Sequence, residues 1–183
     1  LSMKHSLILF LLLTGTVQLL AQQRSLYEFT VQDIDGKEIS LSTLKGKKVL
    51  VVNVASNCGY TPQYEALETL YTKYGTSGFT VIAFPANNFR GQEPGTNAEI
   101  KSFCTSTYHV TFPMMSKISV KGEDIHPLYT WLTQKDQNGV MDAPVTWNFQ
   151  KFMIDESGHL IGMVDPATPP DCDKIVNWIT NKK

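Results

Sequence analysis

Cys58 stands between Asn57 and Gly59 in the stretch Asn53-Val54-Ala55-Ser56-Asn57-Cys58-Gly59-Tyr60-Thr61. A thiol among turn-forming residues belongs to a loop, whereas an ordinary free cysteine behaves as a small apolar core residue. Thr61-Pro62 follows, and Pro is tolerated in the first turn of a helix, so a helix is predicted to open just after Cys58. The unpaired N–H groups of a helix opening carry positive partial charge and favour an anion. The thiolate is the nucleophilic form of cysteine. Residue types and spacing together predict a reactive thiolate at a strand-to-helix junction.

The other chemistry-bearing types are sparse. Thr61 occupies the place that a Cys-x-x-Cys exchange motif would give to its second cysteine, so that motif is absent. His109, His126 and His159 show no metal-site spacing with the cysteines, and no Gly-rich phosphate loop occurs. The reading calls for no metal or organic cofactor. Three cysteines are too few for a disulfide scaffold. The 16 basic and 17 acidic residues are interspersed, so no basic stripe points to nucleic acid.

The elements that would position Cys58 follow from hydrophobic pattern. Lys48 to Ala55 is a dense β-branched run and reads as a buried strand. The helix from about Pro62 to Tyr74 places Tyr64, Leu67, Leu70, Tyr71 and Tyr74 on one stripe. Phe79 to Phe84 reads as a second buried strand, and strand–helix–strand over this distance implies a right-handed parallel crossover. Upstream, Tyr27–Val31 and Lys37–Leu41 flank the turn signal Asp35-Gly36 as a hairpin. Downstream, Pro85–Gly95 is a loop. Thr96-Asn97-Ala98-Glu99 resembles a capping box that opens a helix over 97–106. Phe112–Val120 is expected as a strand, interrupted by Pro113, and His126–Lys135 as a short helix. Phe149–Ile154 and Leu160–Val164 form a hairpin around Glu156-Ser157-Gly158. A last helix over 171–180 has Cys172, Ile175, Val176 and Ile179 inward, which makes Cys172 structural. This order predicts an α/β thioredoxin-like fold, a central mixed sheet flanked by helices with an N-terminal β-hairpin.

Three segments carry a family resemblance. Asn53 to Thr61 resembles the active-site signature of the glutathione peroxidase family, Phe84 to Gly95 its second signature, and Trp147-Asn148-Phe149-Gln150-Lys151-Phe152 its third. They occur in order, and the similarity covers nearly all of 25–180. The resemblance implies a peroxidase whose peroxidatic residue is Cys58, supported by Gln92, Trp147 and Asn148. Amide and indole N–H groups donate to a thiolate and to charge developing on a leaving oxygen. Taken alone, Gln92 reads equally as a solvated loop amide and Trp147 as a core or rim aromatic. Strict strand alternation would send Trp147 and Asn148 to opposite faces, so both can face Cys58 only from a bend ahead of the strand. Cys104, in the 97–106 helix, aligns with the resolving cysteine of thioredoxin-dependent members; its bland reading is a half-buried helical thiol.

The chain departs from the family pattern at Ala86, Asn88 and Arg90, where Cys, Gln and Gly are usual. Arg90 changes the charge of the rim. The segment from Trp131 to Trp147 lacks the insertion of tetrameric members, which implies a monomer or dimer with an open site. The resemblance thus implies reduction of hydrogen peroxide and organic or lipid hydroperoxides through a Cys58 sulfenic acid. Cys104 resolves it, and a thioredoxin-like protein, or alternatively glutathione, is the reductant. A protein thiol–disulfide oxidoreductase and a non-catalytic binding module of the same fold are the competing readings.

Met3-Lys4-His5-Ser6, the apolar run Leu7 to Leu13 and Leu19-Leu20-Ala21 match a secretory signal peptide over 1–21. The domain is then 22–183, secreted or periplasmic, with an uncleaved anchor the lesser reading. Without 1–21 the chain loses Lys4 and carries 15 basic against 17 acidic residues.

Overall fold

The computed structural model describes residues 24–181; the expected signal peptide lies outside them. Strands β1 (Thr30–Gln32) and β2 (Glu38–Ser40) form the antiparallel N-terminal hairpin. Strands β3 (Lys48–Val54), β4 (Phe79–Pro85), β5 (Lys151–Ile154) and β6 (Leu160–Val164) form a four-stranded sheet in the order β4-β3-β5-β6. β3 pairs parallel with β4 and antiparallel with β5, which pairs antiparallel with β6. Helices α1 (Gln63–Tyr74), α2 (Asn97–Tyr108), α3 (Pro127–Thr133), α4 (Lys135–Asn138) and α5 (Asp173–Thr180) surround the sheet. The architecture is the thioredoxin-like mixed sheet expected.

β3 shows how the core is divided. All seven of its residues are buried. Val49 and Val51 enter one apolar cluster with Val31, Leu41 and the α3 residues Leu128, Trp131 and Leu132. Leu50, Val52 and Val54 enter the other with Tyr64, Leu67 and Leu70 of α1, Ile100 and Cys104 of α2, and Ile175 of α5. The period-2 alternation of a strand buried on both faces thus separates two layers.

Several expected bounds shift for local reasons. The hairpin strands are short because Leu26–Glu28 and Leu41–Leu44 are 3-10 turns. The Ser25 N–H donates to Glu28 Oε1 at 2.8 Å, and Ser40 Oγ accepts from the Ser42 N–H, so side chains satisfy the turns. Residues 112–120 do not form a strand. They wedge between hairpin and sheet through isolated bridges of Asp33 with Met115 and Ala83 with Met114. Pro113 lacks an N–H, and the segment divides its bonds: Met115 N–H donates to Ala83 O and Ile34 N–H to Met114 O. The helix expected over 126–135 breaks at Gln134 into α3 and α4. β5 begins only at Lys151, and α2 runs on to Tyr108, where His109 at φ 54° closes it. Cys172 packs with Val176 and Ile179 against the cluster that holds Ile175, as expected, although it stands just ahead of the helix rather than within it. It is the half-buried N-cap residue of α5, its carbonyl accepting from the Ile175 and Val176 N–H groups.

A buried lysine finishes the last helix. Lys48 Nζ donates to Trp178, Ile179 and Asn181 carbonyls at 2.6, 3.2 and 2.7 Å and so terminates α5. At the β5–β6 turn, Gly158 has φ 87°, and a Cβ there would come within 2.7 Å of the Tyr27 ring. Leu26 N–H donates to Gly158 O, and Tyr27 OH to Glu156 O at 2.7 Å. The start of the described chain is thereby clamped to this turn. Ile154 registers with Val49, near the start of β3, whereas Cys58 follows its end, so clamp and thiol lie at opposite ends of the sheet.

Candidate active site

Cys58 sits in the turn joining β3 to α1, with only 9% of its surface exposed. The turn is held from within. Thr61 Oγ1 accepts from the Cys58 N–H at 3.0 Å and donates to Ala55 O at 2.9 Å. Thr61 is therefore a brace, a role hidden by its reading as merely the missing second cysteine. The Tyr60 N–H donates to Cys58 Sγ at 3.4 Å. This is the backbone donor expected near a helix opening, although α1 itself starts only at Gln63. Among the described residues, no side chain donates to Sγ.

Gln92 and Asn148 meet directly, Asn148 Nδ2 donating to Gln92 Oε1 at 2.9 Å. Gln92 is tied to the thiol's own turn, because its carbonyl accepts from the Asn57 N–H at 3.0 Å. Among the described residues Asn148 Oδ1 is buried without a hydrogen-bond partner, as is Asn53 Oδ1. Trp147, Asn148 and Phe149 form a bend ahead of β5, with Phe149 at φ 69°. This irregular backbone removes the strand alternation that would have split Trp147 from Asn148. Buried Asn53 holds it: Asn53 Nδ2 donates to Trp147 O at 3.0 Å, and the Phe149 N–H donates to Asn53 O at 2.6 Å. Gln150 braces it from the other side, accepting from Thr146 and donating to the Ala143 and Pro144 carbonyls. Trp147 packs against both apolar clusters, one of which contains Cys58. Its ring lies 5.4 Å from that of Phe89.

Cys104 shares the apolar cluster of Cys58 but hangs from α2, and both thiols are free. Burial pushes the Cys104 thiol up to about 11; Glu93 nearby adds to this, while the Tyr64 hydroxyl beside it opposes. In the closed helix Cys104 is thus a protonated, unreactive thiol. Ile100 and Cys104 are the buried residues of α2. Two more groups escaped the sequence reading. Glu93 is 1% exposed, and burial raises its carboxyl, with Ser56 and Lys117 opposing the shift. Lys151 is fully buried and donates to the carbonyls of Asp165, Pro166 and Thr168 at 3.3, 3.1 and 2.5 Å. Buried charged types are the signal that finds such residues, and burial is not visible in a linear sequence.

A thiol just past the end of a central strand of this fold, in a turn tied to the Gln92 backbone and in an apolar cluster that Trp147 packs against, defines a thioredoxin-fold thiol enzyme without a vicinal second cysteine. Comparison with known proteins narrows the class. The sequence profile of the family described as Glutathione peroxidase matches residues 26–133. The glutathione peroxidase homolog BsaA of Halalkalibacterium halodurans is 46% identical over 146 residues, covering 80% of this chain and 92% of that protein. The glutathione peroxidase-like peroxiredoxin gpx1 of Schizosaccharomyces pombe is 45% identical, covering 79% and 91%. The crystal structure of Trgpx in apo form superposes with a TM-score of 0.67 at 41% identity, covering 86% of this chain and 97% of that one. The chain belongs to the glutathione peroxidase family, and it is a thiol peroxidase.

Proposed function

We propose that the Cys58 thiolate attacks the O–O bond of hydrogen peroxide or an organic hydroperoxide. The sulfur takes one oxygen and becomes a sulfenic acid, and the other oxygen leaves with a proton as water or alcohol. Gln92, Trp147 and Asn148 supply the donors that steady the thiolate and the departing oxygen. The observation that carries this reading is the Asn148–Gln92 hydrogen bond, because Gln92 also holds the Asn57 amide beside the sulfur. Cys104 then displaces hydroxide from the sulfenic sulfur, giving a disulfide and water. Disulfide closure brings the two Cα atoms within about 7 Å. Cys104 is buried on the inner side of α2, so its approach to Cys58 is read as an opening of that helix. Few of its residues are buried, and short peripheral helices open at a fraction of the global unfolding cost. Exchange with a thioredoxin-like protein returns both thiols, with glutathione as the alternative donor. The enzyme works as a monomer or dimer in a secreted or periplasmic setting after loss of residues 1–21.

The test is disulfide mapping after one equivalent of peroxide. The expected product links Cys58 to Cys104. Cys58→Ser abolishes peroxide consumption, and Cys104→Ser keeps the first stoichiometric reduction but halts thioredoxin-linked cycling. Retained turnover in Cys58→Ser overturns the assignment of the nucleophile, and normal cycling in Cys104→Ser overturns that of the resolver.

A further inference from the structure

The rim beside Trp147 carries two cations with no acidic partner. Arg90 follows Phe89 in the loop between β4 and α2, and its guanidinium lies over the Trp147 ring, 5.4 Å from the centroid. Lys121 Nζ lies over the Phe89 ring at 5.1 Å. The two rings touch, so an aromatic pair is flanked by two positive charges. Among the described residues neither cation enters an ion pair or a side-chain hydrogen bond.

The backbone keeps both cations in place. Asn88 Oδ1 accepts from the Val120 N–H at 2.9 Å, and Asn88 Nδ2 donates to Lys121 O at 3.2 Å, fastening segment 120–121 to the loop. Arg90 adopts φ 54°, with Gly91 after it at φ 63°. The left-handed region disfavours a long side chain, and strain of this kind persists at sites where a particular group is needed. A guanidinium held over an indole without a hydrogen-bond partner keeps its N–H groups available, in a planar fork that fits a carboxylate or phosphate.

We propose that Arg90, assisted by Lys121, is a specificity determinant that selects hydroperoxides bearing an ionised carboxylate or phosphate head on an apolar body. The head is received at the guanidinium edge, and the body lies across Phe89 and Trp147 toward Cys58. Glu123 and Asp124 follow Lys121 in the chain and offset part of its charge, so Arg90 contributes the larger share. The proposal rests on Cys58 as the site of peroxide attack.

The first oxidation of the reduced enzyme is followed by stopped-flow fluorescence, which needs no added reductant. Rates are compared for linoleic acid hydroperoxide against its methyl ester, and for a lysophosphatidic acid hydroperoxide against the neutral monoacylglycerol hydroperoxide. Wild type is expected to favour the anion of each pair, and Arg90→Gln to reduce that ratio about tenfold. Arg90→Lys retains part of it, and 0.5 M salt collapses the wild-type ratio through screening. A loss confined to the carboxylate pair assigns free acyl hydroperoxides as substrates; one confined to the phosphate pair assigns phospholipid hydroperoxides. Equal ratios in wild type and Arg90→Gln overturn the proposal while leaving Cys58 in place. Failure of wild type to react with any hydroperoxide overturns the Cys58 assignment, and this one with it.

Discussion

The Asn148 side-chain amide donates to Gln92 Oε1 at 2.9 Å, joining two loops that are 56 residues apart in sequence. The two amides therefore act as one unit, and removing either should undo much of what the other does. Gln92→Ala and Asn148→Ala are each expected to slow the reaction of Cys58 with peroxide by about tenfold or more. The double variant should be little worse than the poorer single one, a coupling on the order of 1 kcal/mol. Second-order rates of the first oxidation give the cycle. Strictly additive losses would show that the hydrogen bond carries no shared function.

Cys104 should make the protein labile to alkali. Its thiol is held at about 11 in the folded chain against an ordinary 9.0. Below pH 9 both states keep the proton and the full stability is present. Between pH 9 and 11 the unfolded chain ionises first, and about 3 kcal/mol is lost. Urea midpoints of wild type and Cys104→Ala, both reduced, should converge as pH rises through that window. A constant gap between them would contradict the shift. At neutral pH, iodoacetamide should label Cys58 well before Cys104.

His126 should add a loss on the acid side. Its Nδ1 accepts from the Leu128 N–H at 3.2 Å and caps α3, while burial lowers its proton affinity below the usual 6.5. A protonated ring cannot accept that bond. The folded form resists protonation, so the contribution is complete above pH 6.5 and declines as pH falls below it. His126→Asn keeps a cap without titrating. Thermal unfolding at pH 7.5 and 5.0 should cost wild type more than the variant, and equal losses would remove His126 from the account.

Lys151 is a test of buried charge. Burial lowers its ammonium to about 8 from 10.5, with Cys172 and Asp165 opposing. Replacement by Met leaves the Asp165, Pro166 and Thr168 carbonyls without their donor and should destabilise by about 3 kcal/mol. In wild type the folded state resists the proton, so stability rises as pH climbs from 8 toward 10.5. Chemical denaturation at pH 7.5 and 9 should therefore show wild type gaining on Lys151→Met. A gain of equal size in both chains would place the effect elsewhere.

What could be foreseen depended on how locally each feature is determined. The β3 run and the α1 stripe are repeating apolar patterns, and the Thr96–Glu99 capping box forms as the sequence implies. The 112–120 segment could not be foreseen, because its bonds are shared between the hairpin and β4, partners far away in sequence. Trp147 and Asn148 stood out only through the family resemblance, and the bend that turns them was expected only as a requirement. The means of that bend, Phe149 at positive φ held by Asn53, depends on a partner nearly a hundred residues away. Glu93 and Lys151 drew no reading of their own, since nothing in a linear string reveals that a carboxyl or an ammonium has been enclosed.

The clamp of Tyr27 and Leu26 on the Gly158 turn gives the molecule a front and a back. A bead, fusion partner or support joined ahead of residue 24 takes hold of the back and leaves Cys58 facing outward. Immobilising the enzyme by that end should thus leave its peroxide kinetics as they are in free solution, whereas attachment through Lys121 should mask the mouth.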